Sequence, residues 1–293
     1  MGRPDTLLLG LIGSGIGGSR SPAMHEGEAA AHGLRCIYQL VDLDRLGLTT
    51  DALPDLVTGA ERMGFAGLNI THPCKQAVIP LLTGLSDDAR AIGSVNTVVF
   101  DAGSRVGHNT DWQGFSRSFV EQLPGAALHR IVQLGAGGAG AATAYAALDR
   151  GAREVIIVDT IYERARSLAD RMTATFSRDV RAVVAEDLGD ALRGADGLIH
   201  ATPAGMSGHP GLALPAGLLR SDLWVADVVY FPLDTELLRA ARRMGCRTLD
   251  GGGMAVYQAA EAFRLFTGLP AEVSRMRGLF ESIDRPFGRE PSP

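Results

Sequence analysis

Largely apolar runs alternate with longer segments of mixed polarity along the first third of the chain. Thr6–Ile12, Cys36–Asp42 and Gly67–Ile70 are the apolar runs, and they predict buried strands. Ser21–His32 and Leu53–Met63 lie between them and have the periodicity of helices. Because strands separated by helices are typical of parallel sheets, this part of the chain predicts a mostly parallel α/β layer.

A hairpin is predicted at the end of this first third. Thr97–Asp101 and Arg105–Asn109 have strand-like patterns and flank Ala102-Gly103-Ser104, which has the composition of a tight turn. The hairpin would add an antiparallel member to the sheet. Ahead of it, Gln76–Leu82 and Asp87–Ile92 predict two short helices.

The pattern restarts more regularly in the middle third, where strands and helices alternate around a glycine-rich loop. The loop is Gly135–Gly140, and the predicted helices are Ala141–Arg150, Arg164–Phe176 and Thr235–Met244. The predicted strands are Arg130–Leu134, Glu154–Asp159, Val180–Val184, Gly197–Ala201, Trp224–Val228 and Arg247–Asp250. This alternation predicts a doubly wound nucleotide-binding sheet.

Two helices follow the last strand, and they decide the domain organisation. Met254–Thr267 is strongly amphipathic, and a further helix covers about Ala271–Ile283. Helices beyond a completed sheet must cover another surface, so we expect them to return to the first domain. We therefore predict an α/β fold with two domains. The substrate domain is discontinuous (residues 1–111 and 254–293), the Rossmann domain covers residues 112–253, and a helix near Trp112–Leu128 bridges them.

Composition narrows the class of protein. The 293 residues are 46% hydrophobic and 21% charged with a net charge of −5, which is typical of a globular protein with room for two domains. No long basic run is present, so a nucleic-acid or anionic-membrane surface is not expected. The sequence also lacks a stretch of about 18 apolar residues. We therefore expect no membrane span, and no signal peptide because the start lacks a small-residue cleavage site.

The cysteines and histidines indicate neither disulfides nor a metal. Cys36, Cys74 and Cys246 are far apart and outside any CxxC pattern, which favours reduced thiols in a cytoplasmic protein. Cys74 adjoins Lys75 and is either an inert wall residue or a thiol of lowered pKa. The seven histidines lack zinc-type spacing, so no metal is expected. Monomer and homodimer both remain open.

The loop of the middle third has the GxGxxG pattern. It consists of Gly135, Ala136, Gly137, Gly138, Ala139 and Gly140. Gly135 would make the tight turn, Gly137 would let backbone amides approach a pyrophosphate, and Gly140 would let the helix pack on the strand. The helix N-terminus favours anions through its dipole. The loop predicts dinucleotide binding, and the alternative is a glycine turn without a ligand.

Asp159 ends the second strand of this predicted sheet. A carboxylate there would accept hydrogen bonds from the ribose hydroxyls and repel a 2′-phosphate, which favours NAD over NADP. Arg164 and Arg166 follow closely and could receive that phosphate instead. The alternative for Asp159 is a cap in the connection between strand and helix.

Two polar clusters precede the glycine loop. Lys75 lies after a strand-like run and a proline, and Asp111 closes the cluster His108–Asp111. An ammonium and a carboxylate beside a nicotinamide suit reversible oxidation of a ring alcohol, because a proton must move with each hydride. Taken singly, Lys75 is an ordinary surface lysine and Asp111 is a helix cap.

Hydroxyl and amide side chains near this pair are candidates to bind a substrate. Ser19 and Ser21 would offer two hydroxyls and helix amides to a carboxylate, although Ser21 alone is typical of an N-cap. Asn96 would either fix a substrate hydroxyl or make a turn. Gln258 matters only if its helix closes a cleft. We interpret His72 as a wall or orienting residue, not as the base.

A series of short motifs runs through nearly the whole chain in one order. They are Ser19-Arg20-Ser21-Pro22, Asn69-Ile70-Thr71 with Lys75, Gly93–Thr97, Asn109-Thr110-Asp111, the Gly135–Gly140 loop, Ala201-Thr202-Pro203 with Gly205-Met206, Asp227–Tyr230, and Met254 through Gln258 to Gly268. In these motifs the chain resembles the shikimate/quinate dehydrogenases. The resemblance implies two α/β domains with the active site in the cleft.

The resemblance also implies roles for individual residues. Lys75 and Asp111 would be the catalytic pair, and Ser19 and Ser21 would hold the substrate carboxylate. The residues implied to lie at the ring hydroxyls are Thr71, Asn96, Thr110, Tyr230 and Gln258. The residues implied to contact the cofactor are Gly135, Ala136, Gly137, Gly138, Ala139, Asp159, Arg164, Thr202, Pro203, Gly205, Met206, Val228 and Gly251.

Departures from the family pattern narrow the choice of cofactor and of substrate. Shikimate-only members commonly have an NADP-binding Asn-Arg-Thr where this chain has Asp159-Thr160-Ile161, which favours NAD. Thr71-His72-Pro73 and Gln76 resemble the quinate-using branch, while Ser21 leaves quinate and shikimate open. The prediction is an NAD-dependent oxidoreductase acting on shikimate, quinate or both. The alternatives are an NADP-dependent shikimate dehydrogenase, an amino-shikimate-type relative and a non-catalytic dinucleotide sensor.

Overall fold

The computed structural model describes residues 6–282, whose strands form two sheets. The first sheet contains β1 (Thr6–Gly13), β2 (Arg35–Asp42), β3 (Gly67–Ile70), β4 (Gly84–Leu85), β5 (Thr97–Asp101) and β6 (Ser104–His108). Their order is β2-β1-β3-β5-β6-β4. Only β5 runs against its neighbours, so this sheet is mostly parallel with one antiparallel member, as predicted.

The second sheet is parallel throughout. It contains β7 (Arg130–Leu134), β8 (Glu154–Val158), β9 (Asp179–Val183), β10 (Gly197–His200), β11 (Trp224–Asp227) and β12 (Arg247–Leu249). The order is β12-β11-β10-β7-β8-β9, and every neighbouring pair is parallel. The strand order reverses between β7 and β10. This is the doubly wound arrangement, in which ligands bind beyond the carboxyl ends of the strands at the reversal.

Helices connect the strands of both sheets. They are α1 (Ser21–Ala31), α2 (Leu43–Leu46), α3 (Leu53–Arg62), α4 (Cys74–Ala77), α5 (Asp87–Ile92), α6 (Asp111–Gln122), α7 (Gly138–Asp149), α8 (Tyr162–Phe176), α9 (Leu188–Leu192), α10 (Glu236–Arg243), α11 (Gly251–Thr267) and α12 (Val273–Ser282). Within residues 6–282, no helix combines the length and the apolar character needed to cross a bilayer.

The chain divides into two compact units. Unit 1 comprises Met1–Leu85, Val95–His108 and Ala259–Pro293, and it holds the first sheet. Unit 2 comprises Ser86–Ser94 and Asn109–Gln258, and it holds the second sheet. Helix α11 therefore supplies residues to both units.

The second half of α11 completes the core of unit 1. Its Ala262 and Phe266 pack with the β1 residue Leu9 and the β2 residue Tyr38 in one buried cluster. At Gly67 of β3, a side chain would overlap the Phe266 ring, so the glycine permits the helix to lie against the strand. The sheet of unit 1 thus depends on residues that come about 200 positions later in the chain.

Helix α12 is fastened to α1 by a buried carboxylate. Glu28 Oε1 accepts hydrogen bonds from Arg275 Nη1 and from the Glu272 amide, each at 2.8 Å. Arg20, just before α1, donates Nη1–H to the Phe280 carbonyl at 2.9 Å and lies over the Phe280 ring. The C-terminal helices therefore pack on the first α/β unit.

Several element boundaries differ from the prediction for local reasons. The predicted helix Gln76–Leu82 is the short helix α4 followed by a 3-10 turn at Ile79–Leu81. Pro80 lies in that turn and has no amide proton to continue an α-helix. Helix α11 begins at Gly251, three residues before the predicted start, because Asp250 Oδ1 accepts the Gly252 amide proton.

The predicted hairpin has a two-residue turn. Asp101 pairs with Ser104, which leaves Ala102 and Gly103 as the turn, with φ of 46° and 83°. Positive φ at both central residues is typical of the turn that matches the twist of antiparallel strands. Ser104 thus belongs to β6 and not to the turn.

Candidate active site

In unit 1, several of the predicted substrate-binding residues follow the carboxyl ends of parallel strands. The Thr71 amide donates to the Ile12 carbonyl at 2.9 Å, and the Ser14 amide donates to the His72 carbonyl at 2.9 Å. Gly13 faces Thr71 so closely that a side chain at position 13 would overlap the threonine methyl group. The segment after β1 and the segment after β3 are therefore joined at one edge of the sheet.

Ser19 and Ser21 lie in the segment that enters α1. Ser21 is the first helical residue and Arg20 is in the N-cap position, so the interpretation of Ser21 as N-cap is wrong. The Ser19 hydroxyl instead accepts the Ser21 amide proton at 3.3 Å. Upstream, the Asp42 carboxylate accepts the amide protons of Gly15 and Ile16, each at 3.0 Å, and so fixes the loop after β1.

Lys75 and Asn96 are linked to the same edge through their backbones. The Val95 amide donates to the Lys75 carbonyl at 2.9 Å, and the Ile70 amide donates to the Asn96 carbonyl at 2.8 Å. Lys75 lies in α4 and is half-buried. Unit 1 therefore brings the backbone of Lys75, Asn96 and Thr71 into one neighbourhood.

A hydrogen-bonded chain of polar side chains orients Asn96. The Tyr38 hydroxyl donates to Asn69 Oδ1 at 2.8 Å, and Asn69 Nδ2 donates to the Thr97 hydroxyl at 3.1 Å. The Thr97 hydroxyl in turn donates to Asn96 Oδ1 at 3.1 Å. All four side chains are buried, where unsatisfied polar groups would be costly, so the chain fixes the rotamer of Asn96.

In unit 2, the start of α6 carries the predicted carboxylate. Asp111 is the first residue of α6 and is only 5% exposed. Asn109 Oδ1 accepts the amide protons of Asp111 and Trp112, at 3.1 and 3.4 Å, and its Nδ2 donates to the Ser94 carbonyl. Asn109 therefore caps this helix, and the alternative interpretation of Asp111 as the cap is wrong.

Thr110 and Gln258 are brought together by the approach of α6 to α11. The Thr110 hydroxyl lies 3.5 Å from Gln258 Oε1. A side chain at Gly114 would lie 2.6 Å from the Met254 carbonyl and 3.0 Å from Gln258 Cβ, so only glycine permits this approach. Gln258 is half-buried, not fully exposed to solvent.

The glycine loop lies at the reversal of strand order in the second sheet. Gly135 has φ of +99°, and a side chain there would lie 2.5 Å from the Ala201 carbonyl. Gly137 is the N-cap of α7, and nothing lies within 4 Å of the position where its side chain would be. The loop leaves the open space and the helix amides that a dinucleotide pyrophosphate requires, so these residues fit the cofactor.

Asp159 follows β8 and contacts the loop directly. Its Oδ2 accepts the Ala136 amide proton at 2.8 Å, and its Oδ1 accepts the Ile161 amide proton at 2.9 Å. The carboxylate thus supports the loop and also shapes the turn that enters α8. Arg164 is exposed in the first turn of that helix.

The segments after β10 and β11 carry the remaining predicted cofactor residues. The backbone of Thr202 to His209 folds on itself, with amide-to-carbonyl bonds from Met206 to Pro203 at 3.0 Å and from Gly205 to His209 at 2.6 Å. The Ser207 amide donates to the Phe231 carbonyl at 3.1 Å, which joins this segment to the one containing Tyr230. A side chain at Gly251 would overlap the Val228 carbonyl, so these two residues are also adjacent.

A buried histidine and aspartate support the Thr202 segment. His200 Nδ1 lies 2.9 Å from Asp227 Oδ1, and His200 Nε2 lies 2.6 Å from the Thr202 hydroxyl. Asp227 also accepts hydrogen bonds from the Val229 amide and the Thr235 hydroxyl, at 3.0 and 2.7 Å. Three donors satisfy the carboxylate, which explains how a charged group is held in the core.

Sequence reasoning gave no role to several of these supporting residues. Asn109 and His200 bond to the predicted site residues Asp111 and Thr202, and Asp42 holds the loop that precedes Ser19. All three are buried. A buried polar residue at the carboxyl end of a strand is the signal that could have identified them, since such a group must be hydrogen-bonded.

The cysteine beside Lys75 is an unreactive wall residue. Cys74 is buried, and burial raises the pKa of its thiol to about 11, so the thiolate is scarce near neutral pH. His72 is exposed. The described part of the chain contains no group of three His, Cys, Asp or Glu residues placed to hold a metal ion.

Two family models match the chain. Residues 11–98 match the shikimate dehydrogenase substrate binding domain, and residues 251–279 match the shikimate 5′-dehydrogenase C-terminal domain. The first match contains Ser19, Ser21, Thr71, Lys75 and Asn96, and the second contains Gly251 and Gln258.

Named relatives match over almost the whole chain. A protein named shikimate dehydrogenase (NADP(+)) from Streptomyces avermitilis is 58% identical over 93% of this chain and 94% of its own length. A protein named quinate/shikimate dehydrogenase (NAD(+)) from Corynebacterium glutamicum is 50% identical over 95% and 99%. The solved structure of quinate dehydrogenase from Corynebacterium glutamicum in complex with NAD superposes with a TM-score of 0.88, at 49% identity over 94% and 99% of the two chains. The chain therefore belongs to the shikimate/quinate dehydrogenase family of NAD(P)-dependent oxidoreductases.

Proposed function

We propose that the protein is an NAD-dependent dehydrogenase that interconverts shikimate with 3-dehydroshikimate, quinate with 3-dehydroquinate, or both. Residues 1–111 and 254–293 form the substrate domain in this proposal, and residues 112–253 form the dinucleotide domain. The relatives named for quinate and shikimate, with one solved in complex with NAD, support it. Reduced thiols at all three cysteines accord with a cytoplasmic enzyme.

The observation that carries the catalytic assignment is the identity of residue 75. Lys75 is the sole lysine in the chain, and the other 27 basic residues are arginines (28 Lys+Arg less one Lys). Arginine cannot deprotonate in a protein, whereas an amine can give up and regain a proton. Position 75 is therefore the one basic position of the chain where the side chain can exchange its proton. At the other basic positions a permanently charged guanidinium suffices. Position 75 follows β3, at the edge shared with Thr71 and Asn96.

In this proposal Lys75 and Asp111 handle the proton of the substrate hydroxyl. Bound NAD+ supplies the acceptor for the hydride that leaves the ring carbon. Lys75 and Asp111 receive the hydroxyl proton as the C–O bond becomes a carbonyl, and in the reverse direction the Lys75 ammonium polarises that carbonyl. Asn109 performs the capping of α6, so the helix does not require the Asp111 carboxylate as its cap.

The remaining predicted residues orient the ring acid. Ser19 and Ser21 would bind the carboxylate, and Ser21 is suited to this because its side chain does not cap α1. Thr71, Asn96, Thr110, Tyr230 and Gln258 would bind ring hydroxyls. The fixed rotamer of Asn96 supports such a role, because a preorganised donor loses little entropy when substrate binds.

Asp159 supports the preference for NAD over NADP. A carboxylate at the end of β8 accepts ribose hydroxyl protons and repels a 2′-phosphate. Arg164 is exposed in the next helix and is the group that would favour NADP, as the relatives named for NADP(+) do. A direct kinetic comparison of NAD+ with NADP+ therefore decides between the two cofactors.

Kinetics with quinate and shikimate, each with NAD+ and NADP+, test substrate and cofactor together. We expect a higher kcat/KM with NAD+ for at least one acid, read as absorbance of the reduced nicotinamide. Higher values with NADP+ would overturn the cofactor assignment. Dinucleotide binding without turnover of either acid would favour the non-catalytic sensor.

Replacement of Lys75 tests the catalytic assignment. Lys75→Ala is expected to lower kcat by about two to four decades, in line with losses of a general acid–base group. Lys75→Arg is the matched variant, because it keeps a cation that cannot exchange its proton, and we expect a similar loss. Near-normal turnover of either variant would contradict the role of Lys75.

Chemical modification gives an independent measurement on the wild-type protein. An amine-acylating reagent can reach only one side-chain amine in this chain, besides the α-amine. We expect loss of activity with one acyl group on Lys75 by peptide mass analysis, and slower loss when the ring acid is present. Full activity after stoichiometric acylation at Lys75 would oppose the proposal.

A further inference from the structure

Gln133 is a polar side chain at a fully buried position of a core strand. It lies in β7 between Val132 and Leu134, and its exposed fraction is 0%. A primary amide without hydrogen bonds in such a place is costly, so its partners show why it is tolerated. Those partners belong to the glycine loop and to the helix that follows it.

The Gln133 amide joins the two ends of the loop. Its Nε2 donates to the Gly135 carbonyl at 3.0 Å and to the Gly140 carbonyl at 2.8 Å. Its Oε1 accepts the hydroxyl proton of Thr143, which is also fully buried, at 2.8 Å. One side chain therefore holds the first and the last glycine of the pattern from within the core.

The geometry of the loop depends on this closure. A side chain at Gly140 would overlap the Gly135 carbonyl, so the two ends of the loop are in direct contact. From the other side, the Gly135 amide donates to the Val158 carbonyl and the Ala136 amide donates to Asp159, each at 2.8 Å. The carbonyls tied to Gln133 are thus kept away from the side where an anion would bind.

We infer that Gln133 is a positioning residue for dinucleotide binding, which rests on the proposed use of this loop as the pyrophosphate site. By holding the Gly135 and Gly140 carbonyls in the core, it leaves the amides at the start of α7 to face the phosphates. Gln133 affects the affinity of the loop for the pyrophosphate of the dinucleotide. It does not contribute to discrimination between a 2′-hydroxyl and a 2′-phosphate. It therefore acts on NAD and NADP alike.

Gln133→Leu is the test variant, because leucine fills a similar volume without hydrogen bonds. Thr143 retains a partner in this variant, since its hydroxyl also donates to the Gly140 carbonyl at 3.1 Å. Ile157→Val is the matched control, since Ile157 is equally buried and pairs with Gln133 in the neighbouring strand β8. Dissociation constants for NADH, NADPH and ADP are measured by titration, with kcat and KM measured alongside.

We expect Gln133→Leu to weaken all three ligands by a common factor of about 5 to 50, from the loss of two hydrogen bonds. The ratio of NAD to NADP affinity and kcat at saturating cofactor should change less than twofold. Ile157→Val should leave the dissociation constants unchanged. Unchanged dinucleotide affinity in Gln133→Leu, or a change confined to kcat, would contradict the positioning role of Gln133.

A second pair of variants covers the case in which Gln133→Leu does not fold. Gln133→Met is closer in length and flexibility. Thr143→Val removes the hydroxyl that donates to Gln133 Oε1 and to the Gly140 carbonyl, and it leaves both bonds from Gln133 Nε2 in place. We expect both variants to bind the dinucleotides more weakly than the wild type, and Gln133→Met to bind them more weakly than Thr143→Val. Equal affinities in the wild type and both variants would refute the positioning role of Gln133. Because these are binding measurements, they are independent of the turnover that tests Lys75 and of the choice of ring acid.

Discussion

At the residue scale, Asp159 combines two tasks that a single substitution affects in different ways. Its negative charge is what would discriminate against a 2′-phosphate, and its two oxygens accept the amide protons of Ala136 and Ile161. An asparagine keeps the size but offers only one acceptor oxygen. Removal of the charge is therefore coupled to a weaker hold on the glycine loop.

We predict that Asp159→Asn lowers the ratio of kcat/KM for NAD+ to that for NADP+ by about tenfold, the scale of one charge-assisted hydrogen bond. The KM for NAD+ should rise as well, because the loop loses one anchor. Asp190→Asn is the control, since that carboxylate is largely exposed on α9 and its replacement changes the net charge equally. An unchanged cofactor ratio in Asp159→Asn would show that another group discriminates.

Residue-level predictions succeeded where a backbone angle requires one residue type and failed where neighbouring polar side chains compete for the same amide. The GxGxxG pattern located the loop, because only glycine tolerates the φ of +99° at position 135. Ser21 was predicted as the cap of α1, and capping of α6 was the alternative for Asp111, whereas Ser19 and Asn109 accept the amide protons. Capping depends on which side chain can reach back to an amide, and neighbouring polar residues compete for it.

At the element scale, Gly114 lets α6 approach the first half of α11. We predict that Gly114→Ala destabilises unit 2 by about 1–3 kcal/mol, the range for overpacking, because the new methyl group would meet the Met254 carbonyl at 2.6 Å. It should also raise the KM for the ring acid, since Thr110 and Gln258 lie on these two helices. Chemical denaturation and steady-state kinetics provide the two measurements.

Gly59→Ala is the matched control for Gly114→Ala. Gly59 lies inside α3, and nothing lies within 4 Å of the position where its side chain would be. Alanine should therefore stabilise unit 1 by about 0.5–1 kcal/mol, because it restricts the unfolded chain and favours the helix. A stabilising effect of Gly114→Ala as well would contradict the close approach of the two helices.

Helices and strands were predicted best where an apolar run, or a periodic pattern of apolar residues, extends over many positions. The six strands of the second sheet are all present within one or two residues of their predicted bounds. The two-residue strand β4 and the five-residue helix α9 were not predicted. Elements this short have no period of their own, and their partners elsewhere in the sheet or core decide them.

At the scale of the whole molecule, a buried histidine couples stability to pH. His25 is 1% exposed and lies among the rings of Tyr38, Phe263 and Phe266, with centroids 4.9–6.2 Å away. Its Nδ1 has no hydrogen-bond partner among residues 6–282. Burial lowers the pKa of His25 from 6.5 to about 3, because the imidazolium ion would lose its hydration.

The direction of the pH effect follows from this pKa. Below pH 6.5 the unfolded chain binds a proton at His25 that the folded chain does not bind until about pH 3. The contribution of neutral His25 is complete above pH 6.5 and is lost at about 1.4 kcal/mol per pH unit as the pH falls. His25→Phe should therefore lose less stability than the wild type between pH 7 and pH 5, as denaturation midpoints would show.

Phe263→Leu is the control for this pH effect. Phe263 is fully buried beside His25 and does not titrate, so its replacement should lower stability by a similar amount at pH 7 and at pH 5. Parallel curves for His25→Phe and the wild type would mean that the pKa of His25 is the same in the folded and the unfolded protein, which would contradict the effect of burial.

The two α/β sheets and the return of the C-terminal helices to the first sheet followed from the alternation of patterns along the chain. The supporting side chains did not, because Asp42, Gln133 and His200 are isolated polar residues in apolar runs. Each has at least one partner 7 to 27 positions away that becomes a neighbour only after folding. Local sequence can mark such a polar residue but cannot identify its distant partner.

The assembly of unit 1 from three separate stretches has a consequence for synthesis on the ribosome. The residues of unit 2 are all available once Gln258 has emerged, whereas β1 and β3 must wait for Phe266 and α12. At about 5–20 residues per second, that wait lasts on the order of tens of seconds for the first strand. During translation the nascent amino-terminal sheet therefore exposes apolar surface that chaperones can recognise, and a message truncated near its 3′ end would yield a finished second unit attached to an unfinished first one.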